Sequence, residues 1–495
     1  MRVARLSSSI LIVILVSMVL MPVGTSTVAE ICPPEFSFSA SEEITGVPYV
    51  WQQVNGFCFP AALSMVLQSR GLNLGLHDIL TASGAGFSMV SISVDEAMMF
   101  LPGVMVRQMP WFEFFTDLYG LDMQFYLDSS TEYGHNALQI LGAWGSNAID
   151  YSSSQSITPL DVMRESIDAG YPLAISADTY YLPPVDWDII RDHVGPMQPG
   201  GVGHAIVIVG YNDTSQTVRL YDPGVGLMEP YVGYPDDGRW NYTMSYSELD
   251  DAWQSAGYAT FKVSNGTGRV ADFEDRLAAY ISHRMIGNRS AYFQGYENYF
   301  YLGTGADAFR GMGLDMTLEA IRDYCYHYRE VDKPEAIRSL GHNLELMMTM
   351  QYHAYRSALD SLPDLLPSID LEVFLDTASQ ALPHMEALSH NSSITSGVDI
   401  TNRDTILYNT FFGMAESFES SHDLDNAINK FTEELGEIAG HFFAIAEAWR
   451  TAGEILYDEL GLETEMPIES LLLIVGGGTG AFAVGAVLVI WRKRR

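Results

Sequence analysis

Two rhythms divide the chain. From residue 46 to 265, helical and strand patterns are mixed, with many Gly, Pro and aromatic residues between them. From 270 to 465 long stretches carry helical period, as in Leu344 to Leu359 and Leu424 to Leu460. Strand-like alternation is scarce there, and Pro363, Pro367 and Pro383 punctuate the helices. Apolar positions spaced for one helix face predict a helical bundle. The fold class expected is therefore α+β, a mixed domain over 46–265 followed by an α-helical domain over 270–465. Residues 30–45, acidic and small, read as a linker.

The most sharply patterned stretch is a hairpin. Gly203 to Tyr211 reads as a largely buried strand, Asn212-Asp213-Thr214-Ser215 as a turn, and Thr217 to Gly224 as a return strand stopped by Pro223-Gly224. A turn centred near Asp213 puts His204 opposite Asp222. Directly opposed residues of an antiparallel pair have Cβ atoms about 4.5–5.5 Å apart, within hydrogen-bonding reach for these side chains. A slip of one residue would turn one of them to the other face. A carboxylate on one imidazole nitrogen fixes the tautomer and leaves the other nitrogen as a base.

Far upstream, Asn55-Gly56-Phe57-Cys58-Phe59-Pro60 leads into an apolar run of helical spacing. Pro favours the first helical turn, so Cys58 is expected at or just before a helix N-terminus, where the helix dipole favours thiolate. A thiolate, a distant imidazole and a neighbouring carboxylate form the pattern of a nucleophilic site in which His204 deprotonates Cys58 and Asp222 orients His204. A backbone N–H at the cysteine and an upstream side-chain amide would hold an oxyanion. Gln52 is the expected amide, with Gln53 as its alternative. Asn212 is the alternative third member, placed by the pattern in the turn. Read singly, Cys58 fits a small buried hydrophobe, His204 a strand histidine and Asp222 a turn residue; the combination points to chemistry.

These residues carry a resemblance. Gln52…Cys58-x-Pro60-Ala61-Ala62, with Gly203-His204 and Tyr221-Asp222-Pro223, resembles a papain-like fold and is similar to the peptidase family that processes double-glycine leader peptides of bacteriocins. The resemblance covers roughly residues 45–265. It implies catalytic roles for Cys58, His204 and Asp222 and an oxyanion role for Gln52. The family usually has Gly after the cysteine, where Phe59 stands here, and its core is shorter between Cys58 and His204. Gly71-Leu72-Asn73, Ser83-Gly84-Ala85-Gly86-Phe87 and Gly303 to Met312 are similar to butirosin biosynthesis protein H and its family. That similarity implies a Cys-centred acyltransferase working from a carrier protein to an amine.

Charge and the chain ends set the location expected. Arg2 and Arg5, then apolar Ile10 to Val23, then small and polar residues read as a secretory signal peptide over 1–29. An uncleaved anchor is the other reading. Leu471 to Trp491 is apolar throughout, which is long enough for a membrane helix expected over 469–491, and the basic tail 492–495 belongs on the cytoplasmic side. The expected product is a single-pass membrane protein with its bulk outside. A net charge of -36, from 62 acidic against 26 basic residues, excludes nucleic acid as a partner. Five Asn-x-Ser/Thr sequons begin at Asn212, Asn241, Asn265, Asn288 and Asn391. Cys32 and Cys325 are the pair available for a disulfide that leaves Cys58 free. Trp187 and Trp253 either line a pocket or fill the core. Residues 195–203 form a Gly/Pro loop that reads as a gate or a plain connector. Cys325 and His327, two apart, do not share a helix face, and His342 and His353 share one but lack the carboxylate motif of a zinc protease; these and Met347 to Met350 read as structural. No metal or organic cofactor is implied. The expected substrate is a peptide or amide.

Overall fold

The computed structural model describes residues 38–461, apart from 95–96, 105–108, 144–147, 154–156, 189–190, 192–202, 228–232, 267, 288, 291–299, 328–332 and 390–404. The expected signal segment, the membrane helix 469–491, the basic tail, Cys32 and residues 195–202 of the Gly/Pro loop lie outside the described residues. Among the described residues no helix is long and apolar enough to cross a membrane.

The first region runs β1 (Ser41–Glu43), α1 (Cys58–Ser69), α2 (Leu76–Ala82), β2 (Met89–Val94), β3 (Ala97–Pro102), α3 (Met109–Tyr119), β4 (Asp122–Leu127), α4 (Glu132–Ala143), β5 (Ile149–Asp150), α5 (Pro159–Asp168), β6 (Leu173–Asp178), β7 (Gly203–Asn212), β8 (Thr217–Tyr221), β9 (Asn241–Ser245), α6 (Tyr246–Ser255) and β10 (Thr260–Asn265). The second runs α7 (Phe273–Ile286), β11 (Arg289–Ser290), β12 (Phe300–Thr304), α8 (Ala306–Asp315), α9 (Leu318–His327), α10 (Lys333–Leu365), α11 (Glu372–Ser379), α12 (Leu382–Leu388), α13 (Ile406–Ser421), α14 (Leu424–Asn429) and α15 (Thr432–Glu459). A mixed α+β region followed by a helical one is what the two rhythms predict.

The main sheet has the order β5-β4-β10-β6-β7-β8-β9, with β1 also on β7. Its central strand β7 is covered on both faces. Ala205, Val207 and Val209 join the core that contains Cys58, Ala62, Leu63 and Val66 of α1, while Ile206 and Ile208 join Met163, Trp187, Leu249 and Trp253 on the other side. This is the period-two alternation of a strand with both faces buried. The helices that cover it start at capping boxes: Thr158 with Asp161 opens α5, and Ser245 with Glu248 opens α6.

Two expectations about the boundaries change. Residues 30–45 are not all connector, because β1 pairs with the far half of β7, Ser41 to Asn212 and Glu43 to Gly210. The helical region also contributes strands. β12 pairs with β2 and β11 with β12, so a second sheet of order β11-β12-β2-β3 joins residues from both regions. Strands of two and five residues are too short to register as alternation. The helical stretch Leu424 to Leu460 holds two helices, α14 and α15.

The regions are also joined through α10. Gln351 is fully buried on it. Its Nε2 donates to the Gly86 carbonyl at 2.8 Å, and its Oε1 accepts from the Gly103 N–H at 3.0 Å. Gly86 lies so close to this helix that a Cβ there would sit 2.3 Å from the Ala358 Cβ. Thr81 and Asp78 of α2 bond to Ala358 and Ser361 of the same helix. We predict that Gln351→Leu lowers the unfolding free energy of the full chain by about 2 kcal/mol or more, because it strands a buried N–H and a buried C=O at about 1–3 kcal/mol each. Denaturant midpoints of the two proteins check this, and an unchanged midpoint would contradict it.

Candidate active site

Asp222 follows the last residue of β8, and its side chain has no solvent exposure. Four donors reach it. His204 Nε2 stands 2.6 Å from Oδ1, and the Gly224 N–H donates to the same oxygen at 2.8 Å. The Trp187 indole N–H and the Tyr242 hydroxyl donate to Oδ2 at 3.0 and 3.1 Å. A carboxylate has about four lone-pair sites, so this one is saturated. Burial alone would raise its pKa, but the His204 charge and these hydrogen bonds together hold it below the ordinary carboxylate range.

The register that brings His204 to Asp222 differs from the simple turn-centred expectation. Across β7 and β8, Asn212 faces Thr217 and Gly210 faces Arg219, but Ile208 then faces Leu220 and Val207 faces Tyr221. A bulge at this step adds one residue to β7. His204 is therefore not directly opposite Asp222. Extending the pairing puts it opposite Gly224, and a Cβ on Gly224 would lie 2.7 Å from His204 Cε1. Without the bulge Asp222 would face the α1 side, away from His204. With it, both side chains lie on the face that holds Ile206, Ile208 and Leu220. Gly224 leaves the imidazole room to approach.

His204 is buried. Burial would lower its pKa, but Asp222 and then Cys58, whose side chain hydrogen-bonds to it, raise it to about 10. With Nε2 engaged by Asp222, Nδ1 is the nitrogen left to serve the thiol. Trp187 covers the couple, its ring centroid 4.8 Å from the imidazole. Cys58 is the first residue of α1, and Phe57 before it makes no side-chain cap. The positive end of the helix therefore falls on the sulfur. Cys58 and Cys325 are both unbridged, and burial pushes the Cys325 thiol up to about 12.

Gln52 is buried, whereas Gln53 is exposed with φ of 63°. The Gln52 backbone N–H donates to Pro223 O at 3.0 Å, tying the segment before Cys58 to the residue after Asp222. Its side-chain Nε2 donates to Val54 O at 3.0 Å, and its Oε1 has no hydrogen-bond partner. Asn212 caps its own turn by accepting from the Ser215 N–H at 2.9 Å, away from His204. Phe59 leaves the site for the core, with its ring 4.5 Å from Phe261. The sequence pattern missed Tyr242 and Tyr49. Tyr49 donates to the Asp222 carbonyl at 3.1 Å. Burial and the nearby Asp222 carboxylate raise both phenols, which keeps them protonated as donors. Of the two tryptophans, Trp187 lines the site and Trp253 fills the core.

Residues 44–261 match the model of the Peptidase_C39 like family. This segment is a papain-like, C39 peptidase-like domain. A search of curated proteins found no match to the chain. Within the C39-like domain the strands beside Cys58 hold the imidazole–carboxylate couple, while β11 and β12 lie beyond the matched residues.

The coupled pair has a defined pH signature. The raised His204 contributes stability that is complete below its unfolded value of about 6.5 and is lost as pH rises toward about 10. The lowered Asp222 contributes stability present above about pH 4 and lost as pH falls further. We predict that Asp222→Asn costs about 3–5 kcal/mol, since it leaves buried donors facing an amide and removes one partner of a buried pair. The deficit should be widest between about pH 4 and 6.5 and shrink on both sides. Unfolding curves of both proteins across pH check this; a deficit constant in pH would contradict the assignment.

Proposed function

We propose that the protein is a cysteine peptidase-like hydrolase that cleaves peptide or amide bonds through Cys58, His204 and Asp222. The observation that carries this reading is the unbridged cysteine at a helix start, hydrogen-bonded to an imidazole whose far nitrogen is held by a saturated carboxylate. In the proposed reaction the Cys58 thiolate attacks the substrate carbonyl carbon and forms a C–S bond. The oxyanion is held by the Cys58 backbone N–H and the Gln52 amide, whose Nε2 carries a second proton besides the one given to Val54. Collapse breaks the C–N bond, and the leaving amine takes a proton from the His204 imidazolium. Water then adds to the thioester, giving its proton to His204, and expulsion of the thiolate releases the acid.

We also propose that the enzyme works outside the cytoplasm, held by the apolar run Leu471 to Trp491 within 469–491. The support is the sequence of the two termini and the strong acidic excess. A second reading, acyl transfer to an amine, uses the same thioester but an amine in place of water. Its support is the resemblance carried by the two glycine-rich motifs.

We predict that at neutral pH a thiol-directed alkylating probe labels Cys58 at least 100-fold faster than Cys325, and that His204→Gln removes most of that advantage. Cys58→Ala should abolish hydrolysis of peptide substrates. Mass-spectrometric labelling rates decide the first point, and equal rates at the two cysteines would end the hydrolase reading. Peptides against thioesters supplied with amines separate hydrolysis from transfer.

A further inference from the structure

A second buried carboxylate stands behind the site. The Asp186 side chain has no exposure, and it belongs to the 3-10 turn Val185–Trp187, directly before the indole that covers His204. Its Oδ1 accepts from the Gly226 N–H at 2.8 Å; its Oδ2 lies 3.4 Å from Arg239 Nε, a charge contact without a hydrogen bond, and burial outweighs the Arg239 charge and holds the carboxyl pKa above its ordinary value. These contacts reach three separate segments, and each delivers one of the donors that saturate Asp222. Trp187 is the next residue on Asp186's own turn. Gly224 is two residues before Gly226 on the loop after β8. Tyr242 is three residues after Arg239, on the segment where Trp240 O also accepts the Asp222 N–H at 2.9 Å.

Val225 and Leu227 of the loop are buried, and the Leu227 N–H donates to Gly224 O at 3.2 Å. Gly226 has φ of 90°, and a Cβ there would lie 2.0 Å from Gly233 O. The Gly226 carbonyl accepts from the Gly233 N–H at 2.8 Å, so the loop is closed by backbone contacts that fix neither Trp187 nor Arg239. A buried carboxylate without its guanidinium is costly, so the ion pair holds the segments in one arrangement. Arg239 also reaches Asp237 at 3.1 Å, but that carboxylate is more than half exposed and its pairing is correspondingly weak.

We propose that Asp186, paired with Arg239, is a positioning residue for the candidate active site: it fixes three of the four segments that donate to Asp222, and through them the orientation of His204, which the fourth carries, toward Cys58. This inference rests on the hydrolase reading only for its catalytic consequence. The test uses the full chain and two readouts. The first is the downfield proton resonance of the His204 N–H bonded to Asp222, which reports the couple whether or not the protein is a hydrolase. The second is the pH profile of Cys58 alkylation. Asp186→Ala should broaden or abolish the resonance and slow alkylation at neutral pH at least tenfold, moving the profile toward that of an ordinary thiol. Asp186→Asn, which keeps an acceptor for Gly226, should show a smaller loss of both. Arg239→Lys, which keeps the charge, should restore near-wild-type behaviour. A folded Asp186→Ala protein with the wild-type resonance and profile would overturn the proposal. Should Asp186→Ala fail to fold, Asp186→Asn and Arg239→Gln decide: both with the wild-type resonance overturn it. A wild-type Cys58 of ordinary reactivity would sink the hydrolase reading alone, and the resonance would still decide the positioning role.

Discussion

A fully desolvated carboxylate has to be paid for by hydrogen bonds, and Asp222 sets the terms for the structure around it. Its four donors come from β7, the loop after β8, the turn that carries Trp187, and β9. Each must arrive in place for the charge to be tolerated. The reward is an imidazole held in one orientation and biased toward its charged form. The same requirement explains the Gly at position 224, where no Cβ fits beside His204 and Trp187, and the tie from Gln52 N–H to Pro223 O that brings the cysteine segment alongside.

The segment that carries Cys58 depends on the helical region as well. A Cβ on Gly56, which has φ of 87°, would lie 2.9 Å from Met350 Sδ of α10. Val54, Phe57 and Ala61 share a cluster with Met350 and Ala354. Of the methionine run, Met350 therefore backs the turn before Cys58, while Met348 fills the main core. A shared sheet and a shared helix contact make the two regions one structural unit, although the family match ends at residue 261.

Much of the site is legible in the residues because it depends on local chemistry. Asn-Gly before Cys-x-Pro marks a turn into a helix, and the long apolar strand before a polar turn marks the hairpin. The bulge between Ile208 and Gly210 is not legible in the residues. Its effect is to keep His204 and Asp222 on one face through a register two residues away from the simple turn-centred one. Tyr242 and Asp186 were equally hidden, since burial beside Asp222 comes from segments far apart in sequence. Two-residue and five-residue strands in the helical region left no periodic trace.

On the reading proposed above, Cys58 and His204 form a charged pair maintained by Asp222. The direct measurement is the ultraviolet absorbance of the thiolate, taken as the difference between wild type and Cys58→Ser across pH. The account predicts thiolate absorbance well below the ordinary thiol value of about 8.5, lost when Asp222 is replaced by Asn. Absorbance that appears only at or above that value, and does not respond to Asp222, would contradict it.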